Sequence, residues 1–324
     1  MNILISTMLL FLGFILLIKG ADYFVEGASS LARKMNVSQI TIGLTVVAFG
    51  TSSPELLVNI FSATQGKEEI GFGNVIGSNI LNLLLILGTA AVVNPIKIKR
   101  NTVWREIPFL LLSFFVLFFL CNDAFFFPGN SSNVLSRIDS LILILLFVIF
   151  MIYVFHISRV HAKVELQIKN LSTLKTSIYI LSGLAGLFIG GKLAVENATL
   201  IARELEISDR IIAITVIATG TSLPELFTTI AAARKNKFDI AVGNVIGSSI
   251  FNVLFILPIS GLIAPLPYDT KINFDTLVMS FGALVIFFAM FTGKRQKLDR
   301  WEGFLLVLFY VIYLILLVSK INLV

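Results

Sequence analysis

Thiols, imidazoles and charges are scarce in this 324-residue chain: one cysteine, two histidines, and 14 % Asp, Glu, Lys and Arg together. A lone thiol, Cys121, excludes an intramolecular disulfide and leaves the redox compartment unread. His156 and His161 fall at the end of one apolar segment and Cys121 in another, so a soft-metal site lacks a ligand set. No HExxH or serine-nucleophile motif accompanies the acidic residues, which ranks an enzyme last among the candidate functions. Long polar stretches are missing too: the longest connections, near 122–137 and 159–173, are too short to fold as a regulatory or catalytic domain. Soluble domains carry roughly a quarter charged residues. Here hydrophobic residues make up 57 % of the chain, 29 of them Phe, which is the composition of a membrane protein.

A membrane helix needs about 20 mostly apolar residues. Ten windows qualify: 3–24, 39–65, 71–93, 104–121, 138–158, 174–196, 209–233, 239–264, 273–292 and 301–319. The net charge of +6 is sorted by side, so it calls for no nucleic acid or acidic partner. Seventeen Lys and Arg lie in the loops after the odd-numbered windows, against six on the alternate side. The positive-inside rule then puts those loops in the cytoplasm and both termini outside. The first window has no basic n-region or cleavage site and reads as a retained helix. Compact loops and missing targeting signals suggest a prokaryotic inner membrane, with the lipid bilayer as the one macroscopic partner and a monomer sufficient. The Phe-rich run of the fourth window reads as lipid-facing bulk, and Asp22, Glu26, Lys192 and Glu196 as groups near helix ends that snorkel or pair.

The chain repeats itself. GTSSPEL at 50–56 returns as GTSLPEL at 220–226, and GNVIGSNILN at 73–82 as GNVIGSSIFN at 243–252, both at an offset of 170. Without gaps, residues 41–62 match 211–232 at 11 of 22 positions, and 71–88 match 241–258 at 11 of 18. Gly13, Gly20, Val25 and Glu26 meet Gly183, Gly190, Val195 and Glu196 at the same offset. Five windows per half is an odd number, so the second half enters the membrane from the opposite side. The expected fold is an all-α polytopic membrane protein of ten transmembrane helices in two inverted-topology five-helix repeats, with a site at the midplane between them. Residues 1–160 form the first repeat, 161–173 a cytoplasmic linker and 174–324 the second repeat.

Polar residues inside the apolar windows carry the chemistry. Pro54 lacks an N–H and crowds the carbonyl of Gly50, so its helix should kink and free carbonyls near Thr51; Pro224 does the same near Thr221. A carbonyl left bare in hydrocarbon costs several kcal/mol unless protein, water or an ion takes it up. Thr51, Ser52 and Glu55 share a helix side, as do Thr221, Ser222 and Glu225. In the next helix Asn74, Ser78 and Asn82 form a stripe at intervals of four, repeated by Asn244, Ser248 and Asn252. Gly73, Gly77, Gly243 and Gly247 beside these stripes are small enough for close helix contact. Every donor in the set is oxygen, which suits hard cations such as Ca²⁺ and Na⁺.

These paired motifs resemble the two α-repeats of the sodium/calcium exchanger family, in its compact prokaryotic form. The resemblance implies Glu55 and Glu225 as the central Ca²⁺ carboxylates, completed by the carbonyls of Thr51 and Thr221. It implies flanking Na⁺ sites from Ser52, Ser78, Ser222 and Ser248 with the carbonyls of Ala48 and Ala218, and midplane polar residues at Asn82 and Asn252. Potassium-dependent members and some prokaryotic ones carry Asp at the position of Asn252, so the amide here looks more like the potassium-independent exchangers. The implied activity is Na⁺-driven Ca²⁺ antiport by alternating access, with no cofactor; one Ca²⁺ balances a site of about −2, and about three Na⁺ would make transport electrogenic. Two alternatives stay open: a cation/H⁺ exchanger using the same carboxylates, and, from another class, an ion channel.

Overall fold

The computed structural model describes residues 3–67, 69–126, 133–160, 171–205, 207, 216, 218–292 and 296–322. The chain is almost wholly helical. Helix α1 spans Ile3–Lys34, α2 Gln39–Thr51, α3 Ser53–Thr64, α4 Ile70–Val93, α5 Thr102–Cys121 and α6 Arg137–Val160. In the second half α7 spans Thr173–Glu204, α8 Leu223–Arg234, α9 Phe238–Ile263, α10 Thr270–Ala289 and α11 Arg300–Asn322. Among the described residues eight helices are long and apolar enough to cross a membrane, nine when the bent pair α2–α3 counts as one span. Most of the first half of the expected seventh span, residues 209–215 and 217, lies outside the described residues, as does 161–170 of the expected linker.

The helices sort into a centre and a rim. The apolar window of α9 is 94 % buried and that of α4 78 %, against 22 % for α1, α6 and α11. Leu44, Phe72, Ile76, Leu83, Val245 and Val253 belong to the main core, while Phe11, Leu145 and Ile315 point out into what would be lipid. The two helices with the polar asparagine–serine stripes are thus the ones shielded from lipid, while α2 and α3 turn Phe49, Leu57 and Phe61 outward. The Phe-rich run of α5 corrects the reading of it as lipid-facing bulk: Phe115 faces out, but Phe114 is fully buried in the core. A run that is apolar all round gives no cue to its inner face.

Helices α1 and α7 run antiparallel along their whole length. Gly13 faces Gly190 and Ala194, Gly20 faces Gly183 and Leu187, and at the far end the Ser30 and Thr176 hydroxyls lie 2.8 Å apart. Glycine is what permits the approach, since a Cβ on Gly183 would stand 2.6 Å from the Phe24 backbone nitrogen. Both helices run about ten residues beyond the windows read from hydropathy, so Asp22 and Glu26 lie well inside α1. They pair there with the α8–α9 link: Lys235 sits 2.9 Å from Asp22 and 3.5 Å from Glu26, and Lys237 3.5 Å from Glu26. On α7, Lys192 and Glu196 pair with each other at 3.8 Å.

Two short antiparallel ribbons tie loops of the two halves. Strand β1, Ile96–Lys97, pairs with β4, Lys297–Leu298; β2, Val134–Leu135, pairs with β3, Leu266–Pro267. Two-residue strands have no sequence signature. They form because loops distant in sequence meet and satisfy each other's backbone groups.

Candidate functional site

Pro54 and Pro224 each sit in the first turn of a new helix, α3 and α8. The residue two before each leaves helical geometry, Ser52 at φ −84° and ψ 7° and Ser222 at φ −92° and ψ 8°. Between α2 and α3 the axis bends by 47°, the kink that a proline missing its N–H produces. Glu55 and Glu225 therefore stand in the first turns of two helices, both 1 % exposed.

The bend redirects the serines. Spacing alone pairs Ser52 with Glu55; instead Ser52 Oγ donates to Glu225 Oε1 at 2.9 Å, and Ser222 Oγ donates to Glu55 Oε1 at 3.0 Å. Each motif's hydroxyl serves the other motif's carboxylate. Ser78 reaches the same oxygen of Glu55 at 3.4 Å and lies 3.1 Å from Ser222. Thr51 donates to Asn244 Oδ1 at 3.0 Å and approaches Ser248 Oγ at 3.5 Å, and Ser248 lies 3.5 Å from the Ala48 carbonyl. Thr221 lies against Glu55, and Thr51 and Ser248 against Glu225. Ala218 lies in the helical residues Ala218–Gly220, just before Thr221.

The asparagines one turn toward the loop hold the scaffold. Asn74 Nδ2 donates to the Glu55 carbonyl and Asn244 Nδ2 to the Glu225 carbonyl, both at 3.3 Å. They are braced by Asn59 at 2.6 Å and Thr229 at 3.0 Å. Neither brace is apparent from the motifs; the available signal was a polar residue four places after each Glu. Asn82 and Asn252 lie one turn beyond Ser78 and Ser248, inside π-helical stretches, Leu81–Ile86 and Asn252–Ile256. A π turn widens the helix and is common at functional sites.

Five buried oxygens of the cluster, Glu55 Oε2, Glu225 Oε2, Asn82 Oδ1, Asn252 Oδ1 and Thr221 Oγ1, have no hydrogen-bond partner among the described residues. Such groups are costly inside a protein unless something positive meets them. Among the described residues no three His, Cys, Asp or Glu side chains gather, so the donors beyond the two carboxylates are hydroxyl, amide and backbone oxygens. A cleft of about 510 Å³, lined by Ser53, Pro54, Leu187, Gly191, Thr221 and Pro224, reaches this cluster between α3 and α7. A second, of about 340 Å³, is lined by Gly73, Gly77, Thr219, Asp275 and Tyr313.

Two of the four stripe glycines show the expected close helix contact. A Cβ on Gly243 would lie 2.9 Å from Gly43 Cα, and one on Gly247 2.7 Å from Ala48 Cβ; around Gly73 and Gly77 none of the described residues comes within 4 Å, and 209–215 and 217, the counterparts of α2 residues 39–45 and 47, lie outside them.

A family model for the sodium/calcium exchanger protein matches residues 5–156 and 175–319. The chain belongs to the sodium/calcium exchanger family. It is 34 % identical to the sodium/calcium exchanger MaX1 of Methanosarcina acetivorans over 97 % of this chain and 99 % of that one. It is 33 % identical to the inner membrane protein YrbG of Escherichia coli over 97 % of each. Its fold superposes on the sodium-calcium exchanger NCX_Mj soaked with 10 mM Na⁺ and zero Ca²⁺, with a TM-score of 0.82 and 32 % identity over 97 % of this chain and 99 % of that one. The exchanger is accordingly a multi-pass membrane antiporter, and the oxygen cluster of its α2–α4 and α8–α9 helices is the candidate ion site.

Proposed function

We propose that this exchanger drives Ca²⁺ extrusion with Na⁺ entry, using Glu55 and Glu225 as central Ca²⁺ ligands. The observation that carries the reading is the reciprocal bonding of Ser52 to Glu225 and Ser222 to Glu55, which occupies one oxygen of each carboxylate and leaves the other without a partner among the described residues. Two carboxylates amid neutral oxygens suit one divalent cation or several monovalent ones, and the two loads exclude each other because they need the same atoms. The carbonyls of Thr51 and Thr221 would complete the Ca²⁺ shell. Ser52, Ser78, Ser222 and Ser248 with the carbonyls of Ala48 and Ala218 would hold flanking Na⁺, and Asn82 and Asn252 the midplane position. An amide at Asn252 supplies no third carboxylate, so exchange is potassium-independent, and more Na⁺ charge than Ca²⁺ charge per cycle makes it electrogenic.

The same reading includes ten spans in two inverted five-helix repeats, 1–160 and 174–324, joined by 161–173. The antiparallel glycine contact of α1 and α7 supports it. Alternating access would come from these two glycine-lined helices sliding past the motif helices. Both termini lie outside and the basic loops inside, in a prokaryotic inner membrane.

The test is ⁴⁵Ca²⁺ uptake into Na⁺-loaded proteoliposomes under an outward Na⁺ gradient, a pH gradient, or neither, with and without K⁺. Uptake that requires Na⁺, ignores K⁺ and is lost in Glu55→Gln is expected; uptake driven by the pH gradient alone would replace this reading with cation/H⁺ exchange.

A further inference from the structure

Asn79 is fully buried and lies outside the oxygen cluster, yet both ends of its amide cross from α4 to α9. Its Nδ2 donates to the Ser249 carbonyl at 3.3 Å, and its Oδ1 accepts from Asn252 Nδ2 at 3.0 Å. The second bond fixes which way the Asn252 amide points. With its NH₂ group held by Asn79, Asn252 has only Oδ1 left, the buried oxygen that finds no partner among the described residues. Rotation of that amide by half a turn would put two N–H donors where a cation needs an acceptor.

The 170-residue offset sharpens the point. Asn79 corresponds to Ser249, whose side chain is too short to reach across, and the Ser249 hydroxyl makes no hydrogen bond among the described residues. Asn82, the counterpart of Asn252, therefore receives no such clamp from Ser249. We propose that Asn79 is a positioning residue for ion binding: it locks the Asn252 amide with its oxygen toward the site and so makes the two otherwise equivalent midplane positions unequal. The inference rests on the ion-site reading above, since it gives Asn252 Oδ1 a cation to meet.

A double-mutant cycle tests it, with Na⁺-driven Ca²⁺ uptake measured for the wild type, Asn79→Leu, Asn252→Leu and the double variant. Melting temperatures in detergent would be recorded alongside. Asn79→Leu should raise the half-saturating ion concentration about tenfold, the size of one lost hydrogen bond to an ion-binding group, with a much smaller change in maximal rate. In the Asn252→Leu background the same change should add less than about twofold. Full additivity of the two effects, or a fall in maximal rate and melting temperature at unchanged half-saturation, would make Asn79 a helix strap only and overturn the proposal. A wild type with no Na⁺-driven uptake would overturn the ion-site reading itself, which separates the two failures.

Discussion

At the scale of single residues the site trades stability for function. Glu55 and Glu225 are both 1 % exposed and each leaves one oxygen without a partner among the described residues. Two buried carboxylates repel each other and are poorly solvated, so the ion-free protein carries a cost that a neutral amide would lift. Glu55→Gln and Glu225→Gln should therefore melt higher than wild type in Na⁺- and Ca²⁺-free buffer, by about 1–4 kcal/mol of stability, while losing transport. Calcium should raise the melting temperature of the wild type and leave that of either variant nearly unchanged; differential scanning fluorimetry reads both effects. The identities of these residues were plain from the sequence, since Glu in an apolar run invites a functional reading. Their partners were not. The i,i+3 spacing joins Ser52 to Glu55, but the 47° bend after Thr51 turns Ser52 toward Glu225 instead.

At the scale of elements, close helix packing at the motif sets a measurable cost. Gly247 of the second GNVIGS is pressed against the α2 backbone, its added Cβ meeting Leu44 Cα at 2.9 Å. Gly247→Ala should destabilise the exchanger by about 1–3 kcal/mol through overpacking. Thermal melting of this variant against the wild type checks the cost; an unchanged melting temperature would mean that α2 and α9 yield to the extra methyl freely. Hydropathy also placed the helices well but not their ends, because α1 and α7 continue to Lys34 and Glu204 as packed helix after their apolar runs stop.

At the scale of the whole molecule, the sorting of basic loops and the pairing of ribbons concern the same two faces. Strands β1 and β4 join loops assigned by charge to the cytoplasm, and β2 and β3 join loops assigned to the outside. Because Cys121 is the single cysteine and fully buried, it should stay silent to a membrane-impermeant maleimide. A cysteine at exposed Asp269 should label in intact cells, and one at exposed Lys97 only after the membrane is opened; the reverse pattern would invert the orientation. What the sequence alone determined is the membrane class, the duplicated motifs, the oxygen-only donor set and the charge asymmetry, because each is written in residue type or in spacing along one helix. Only the tertiary structure decided that Ser52 serves Glu225, that Asn79 holds Asn252 and that Gly247 presses on Ala48. Those contacts join residues on different helices, most of them about 170 positions apart, and which faces meet depends on how the helices bend and pack, a property no local periodicity encodes.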